Sequence, residues 1–144
     1  RSTLFPYTTL FRSERCLTAQ AVNGVVYAIG GRPGDPDGNY DVVDAFDPAA
    51  NAWMPRARMP SRRGGLGSAV LGGRIHTFGG ETSSATFAQH EVYDPAANTW
   101  RVAPQLPTAR HGLAVASLDG RIYVIGGGPR AGFAQTDIVE VFTP

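Results

Sequence analysis

Gly24–Gly31 reads GVVYAIGG, Gly73–Gly80 reads GRIHTFGG, and Gly120–Gly127 reads GRIYVIGG. Downstream of the first two, Phe46–Trp53 reads FDPAANAW and Tyr93–Trp100 reads YDPAANTW. Trp53 and Trp100 stand 47 residues apart, and so do Gly79 and Gly126. A repeat of this length, with room for four short strands, is the pattern of small antiparallel sheets set radially about an axis. The fold class is therefore all-β. Such scaffolds serve many purposes, so function has to be read from the loops.

Working outward, each repeat divides into four strands, a to d. Strand a covers Leu17–Val22, Leu66–Leu71 and Leu113–Leu118, each followed by a two-residue turn: Asn23-Gly24, Gly72-Gly73 and Asp119-Gly120. All three dipeptides suit a type I′ hairpin, whose two central residues need positive φ. Strand b alternates with period two. Val26, Ile75 and Ile122 share a face with Ala28, Thr77 and Val124; Tyr27, His76 and Tyr123 share the other with Ile29, Phe78 and Ile125. The glycine pairs Gly30-Gly31, Gly79-Gly80 and Gly126-Gly127 then end the strand, where a missing Cβ admits another backbone. Strand c is expected at Val42–Phe46, Glu91–Tyr93 and Ile138–Phe142. Asp47-Pro48 and Asp94-Pro95 open the next turn, with carboxylates placed to accept backbone N–H bonds. Asn51 and Asn98 suit its left-handed position. Trp53 and Trp100 begin strand d, which is expected to end at Met59-Pro60 and Leu106-Pro107, and their rings can fill the space between sheets.

A glycine pair after an apolar strand, an aromatic-Asp-Pro turn, a Trp at fixed distance, and Arg-x-Gly before the next strand a (Arg63, Gly65; Arg110, Gly112) together resemble the kelch repeat. The resemblance spans about Arg15 to Pro144. It implies a kelch-type β-propeller: three four-stranded antiparallel blades, over residues 14–60, 61–107 and 108–144, the last lacking its outer strand. The departures have a pattern. Glu14 and Arg15 stand where Arg110 and His111 do, His76 replaces a Tyr, and Thr143 replaces the turn Asp. These blades are expected to be the C-terminal half of a larger propeller, with three or four further repeats upstream.

Arg1–Ser13 fits no part of the repeat, and Thr3–Ser13 matches the translation of a sequencing adapter in one frame, so the segment is set aside. The formal net charge of +1 then becomes −1, since Arg1 and Arg12 fall away and 11 Arg face 12 acids. Neither value gives the basic face of a nucleic-acid-binding protein. No stretch reaches the roughly 18 apolar residues of a membrane helix. Cys16 is the one cysteine, which excludes an internal disulfide framework. All 13 basic side chains other than His are Arg. With abundant Ala, Gly and Pro this suggests a GC-rich, bacterial coding sequence, and leaves secreted and cytoplasmic locations equally open.

The kelch resemblance implies that d–a and b–c loops meet at one mouth. The d–a loops supply Ser61, Arg62, Arg63, Thr108, Arg110 and His111; the b–c loops run over Arg32–Tyr40, Glu81–Gln89 and Pro129–Gln135. Rim candidates for ligand binding are Arg62, Arg63, Arg110, His111, Glu81 and Arg32, because guanidinium forks suit carboxylates. Arg63 and Arg110 recur in the repeat, which favours a loop-holding role on backbone carbonyls; Arg62 does not recur. Asp35, Asp37, Asn39 and Asp41 alternate as calcium ligands can, but ordinary turn composition explains them, and no metal or cofactor is expected.

Two function classes follow. The first is a binding or interaction module for a protein or small ligand. The second, also implied by the resemblance, is a carbohydrate-active enzyme: sialic-acid epimerase-like, with Glu81, His111, Arg62 and Arg110 as conceivable groups, or like the copper-radical galactose oxidases, which an apolar setting for Cys16 disfavours.

Overall fold

A computed structural model describes residues 15–144, so the reading of Arg1–Ser13 lies outside the described residues. The described chain holds eleven strands and no helix. β1 (Thr18–Val22), β2 (Val25–Ile29), β3 (Val43–Asp47) and β4 (Ala52–Pro55) form one antiparallel meander. β5 (Gly67–Leu71), β6 (Arg74–Phe78), β7 (His90–Asp94) and β8 (Thr99–Ala103) form a second, and β9 (Ala114–Leu118), β10 (Arg121–Ile125) and β11 (Val139–Phe142) a third of three strands. The a strands β1, β5 and β9 lie side by side along the inner edge of the stack.

The turns form for the reasons given by their residues. φ is positive at Asn23 and Gly24, at Gly72 and Gly73, and at Asp119 and Gly120, as type I′ turns require. At the outer turns Asp47 Oδ1 accepts from the amides of Ala49 and Ala50, and Asp94 Oδ1 from those of Ala96 and Ala97. Asn51 and Asn98 take φ of 50° and 53°. Strand d ends earlier than expected, at Pro55 and Ala103, the latter just before Pro104. Proline has no N–H for the ladder. The chain then crosses beneath the next sheet, where Met59 and Leu106 are buried.

The two faces of strand b explain how sheets stack. Tyr27 and Ile29 of the first sheet meet Ile75 of the second, with Met59, Leu66 and Tyr93 in the same cluster. Phe78 of the second meets Ile122 and Val124 of the third, with Leu106 and Leu113. Trp100 packs against the first of these clusters, and its Nε1–H donates to the Ala57 carbonyl at 2.9 Å. The glycine pair matters where sheets touch. A Cβ on Gly79 would lie 2.2 Å from the Arg110 carbonyl oxygen, and one on Gly30 2.6 Å from that of Arg63. Their own φ values of +65° and +66° disfavour a side chain as well.

Candidate binding site at the loop mouth

The meander topology sends the a–b and c–d turns to one end and the b–c and d–a loops to the other. At that second end each d–a segment pairs with the b–c loop of its own sheet: Arg15 with Arg32, Gly64 with Glu81, and His111 with Gly128. Successive d–a segments are tied together, since the Gly65 amide donates to the Cys16 carbonyl at 2.9 Å and the Gly112 amide to the Gly65 carbonyl at 2.7 Å. Cys16, with φ of 56°, takes the place that Gly65 and Gly112 hold in the other repeats. It is exposed and precedes β1, whereas the sequence placed it in an apolar setting on strand a.

Glu81 is the hub of the mouth. Its Oε1 accepts from Arg32 Nη2 at 2.7 Å, and its Oε2 lies 3.3 Å from His111 Nδ1 and accepts from the Gly132 amide at 3.2 Å. Its carbonyl accepts from Asn39 Nδ2 at 2.6 Å. His111 Nε2 lies 3.1 Å from the Arg130 carbonyl oxygen. Residues from all three repeats are thus joined at one carboxylate. Burial opposes the charge of Arg32, but Glu81 and the nearby Cys16 outweigh it and hold the guanidinium above its ordinary range. Arg32, Glu81 and His111 line an open cleft of about 820 Å³. Arg130, Phe133 and Gln135 line it as well.

The remaining rim candidates do not join this cleft. Arg63 and Arg110 are fully buried inside the second and third sheets, so neither offers its guanidinium to a ligand at the surface. Arg63 Nη1 donates to the carbonyls of Gly79 and Gln89, and its Nη2 to Thr77 Oγ1 and, at 2.6 Å, to Glu91 Oε2. Arg110 repeats the arrangement with the carbonyls of Gly126 and Ile138 and with Glu140 Oε2 at 2.7 Å. Arg62 stays exposed, 3.7 Å from Asp41, which also accepts from Arg58 at 2.5 Å.

The Asp35–Asp41 stretch is taken up by separate partners. Asp37 accepts from the amide and hydroxyl of Ser83, which lowers its pKa, while Asn39 is held on Glu81 and Asp41 on the two arginines. Among the described residues no group of three metal-ligating side chains converges.

Two features escaped the sequence reading. Glu91 and Glu140, the partners of the repeat arginines, sit opposite Thr77 and Val124 in register, and Asp44 sits opposite Ala28 in the same way. An acid at one place in every strand c, read against an Arg before strand a, was the available signal. The second is a buried histidine pair. His90 Nδ1 lies 3.0 Å from the Pro104 carbonyl and must donate there, so its Nε2 accepts from His76 Nδ1–H at 2.9 Å. Phe78 and Phe142 pack around both rings. Burial pushes both imidazoles down to about 4; the neighbouring histidine adds to this for His76, and for His90 the Pro104 carbonyl only partly offsets it.

Comparison with known proteins agrees with this geometry. The Kelch motif matches twice in succession, over residues 15–60 and 62–107. Kelch-like ECH-associated protein 1B of Danio rerio is 41% identical over 66 residues, which is 44% of this chain and 11% of that protein. Alpha-scruin of Limulus polyphemus is 41% identical over 64 residues, again 44% of this chain and 7% of that protein. The chain therefore matches about a tenth or less of the length of these curated relatives. Among solved structures, YjhT superposes with a TM-score of 0.78 at 18% identity, covering 89% of this chain and 48% of that one, which shows a shared β-propeller fold. With its three antiparallel sheets, its repeated turns and two consecutive motif matches, the chain belongs to the kelch-repeat family.

Proposed function

We propose that this chain is a binding module whose ligand, a protein segment, docks at the mouth formed by the d–a and b–c loops. The observation that carries the proposal is the contrast between a scaffold that repeats and b–c loops that share no motif across all three repeats. Strands, glycine pairs and buried arginines recur, whereas the b–c loops read RPGDPDGNY, ETSSATFAQ and PRAGFAQ, with Ala-x-Phe-Ala-Gln shared by the last two alone, and still converge on one cleft. Loops free of the repeat's packing demands are where recognition can be built. The name of the Danio rerio relative describes association with ECH, and such a binding use supports the same reading here.

A catalytic role for Glu81 or His111 is less well supported. Both carboxylate oxygens and both ring nitrogens already face internal partners, leaving no group poised to move a proton on a substrate. On the rim Arg62 and Arg130 are exposed, whereas Arg63 is buried with its Nη1 and Nη2 donors engaged inside the sheet.

The test is an array carrying acidic peptides, neutral peptides and carboxylate-bearing sugars. Retention of peptides, weakened by Arg62→Ala and Arg130→Ala but not by Arg121→Ala at the opposite end, is the expected result. Retention of sugars alone would favour the carbohydrate-active alternative. Sensitivity to Arg121→Ala alone would move the site to the far end.

A further inference from the structure

We propose that Phe133 is the side chain by which this chain anchors a protein partner, and that Arg32, Glu81 and His111 are positioning residues that hold its loop in place. The proposal rests on the mouth being the binding end, and assigns that end its contact residue and the chemistry of its partner.

The three b–c loops differ in what they do with an aromatic ring. In the first two, Tyr40 and Phe87 occupy one structural place. Each amide donates to the carbonyl of the second glycine after strand b, Gly31 and Gly80, and each carbonyl accepts from the amide of the following arginine, Arg63 and Arg110. Both rings are partly buried there. In each case the residue two positions on returns its carbonyl to the amide of the first glycine: Val42 to Gly30, and Gln89 to Gly79. In the third loop Ile138 makes that bond to Gly126, so the equivalent place falls on Thr136.

The same Phe-Ala-Gln triplet occurs at Phe87 and at Phe133, but Phe87 stands two residues before its bonded end at Gln89, and Phe133 stands five residues before Ile138. Phe133 is therefore thrown out of the aromatic slot. Its relative exposure is 114%, the highest of the exposed large apolar residues among those described. The scaffold gains no packing from it.

The loop carrying Phe133 is nevertheless tied down. His111 Nε2 meets the Arg130 carbonyl, the Gly132 amide donates to Glu81 Oε2, and Thr86 Oγ1 donates to the Pro129 carbonyl at 3.3 Å. Glu81 is in turn fixed by Arg32. A fully exposed ring on a loop bonded at three points is pre-organised as an anchor, and such aromatics dominate interface energetics. Arg130 is exposed three residues away on the same loop, while the Glu81 charge is met by Arg32. The partner that fits is a protein with an apolar pocket for the Phe133 ring, bordered by a carboxylate for Arg130.

The experiment selects binders to the intact chain from a displayed library of randomised single-domain scaffolds, and measures each clone against four variants. Clones that map to the mouth should lose on the order of tenfold or more in affinity with Phe133→Ala and change little with Val102→Ala, an exposed apolar control on β8. Glu81→Gln should weaken the same clones and speed hydrogen exchange at the Gly132 amide, while exchange in the strands is unchanged. Clones sensitive to Arg130→Ala but not to Phe133→Ala would overturn the anchor and leave the mouth as the binding end. Clones that none of the mouth variants disturbs would overturn both. Unchanged Gly132 exchange and affinity in Glu81→Gln would overturn the positioning roles.

Discussion

Arg62 and Arg63 are adjacent and chemically identical, yet the fold gives them opposite tasks. Arg63 is buried among two carbonyls, a hydroxyl and the Glu91 carboxylate, whose other oxygen accepts from Ser61 Oγ at 2.6 Å. Burial lowers the pKa of Arg63 by more than Glu91 raises it, which shows how much of its charge this one partner must offset. Removing one member of such a pair leaves the other charged and unpaired in the interior. Arg63→Ala is expected to destabilise the protein by about 3–5 kcal/mol. Arg62→Ala, on an exposed side chain with a long ion pair, should stay within about 0.5 kcal/mol. Denaturant melts of the two variants decide it; equal losses would refute the division of roles. The sequence already separated these neighbours, because one recurs at Arg110 and the other does not. It could not show the burial, which depends on Glu91 arriving from another strand.

At the scale of elements, the hairpins were the most legible part of the chain. Their conformation is set locally by Asn-Gly, Gly-Gly and Asp-Gly, and by the Asp-Pro-x-x-Asn turns. Strand d was less legible because its end is set by a proline and by what lies beneath the next sheet. The histidine pair was not legible at all. His76 stands where other repeats have Tyr, and only the pairing of β6 with β7 brings it to His90. That pair has a consequence for pH. Both imidazoles titrate near 4 when folded, against an ordinary value of 6.5, so the unfolded chain binds more protons between those values. The contribution of the neutral pair is fully present above about pH 6.5 and is lost as pH falls through that window toward 4. Melting temperature should therefore drop across it. His76→Tyr, which restores the residue of the other repeats and offers a hydroxyl to His90, should flatten the slope. Identical slopes in wild type and variant would show that other groups govern the acid limb.

At the scale of the whole molecule, the stack of sheets is asymmetric. Phe78, His90 and Val92 on the second sheet are 1%, 0% and 1% exposed because the third sheet covers them. Their counterparts in register on the third sheet, Ile125, Val139 and Val141, are 42%, 54% and 49% exposed, and Leu118 is 61% exposed. The outer edge of β11 also has no neighbour among the described strands. A sheet that offers both an apolar face and an open edge favours pairing with another chain. Residues 15–144 produced as they stand are expected to self-associate, with a mass by light scattering that rises with concentration. Val139→Lys together with Val141→Lys puts two like charges on that face and should return the chain to a monomer without moving the d–a and b–c loops. A wild-type chain that stays a monodisperse monomer with a sharp melt would mean that the exposed face is tolerated. The stability of the three sheets would then rest on the two buried clusters between them and on the arginine-centred bonds within the second and third.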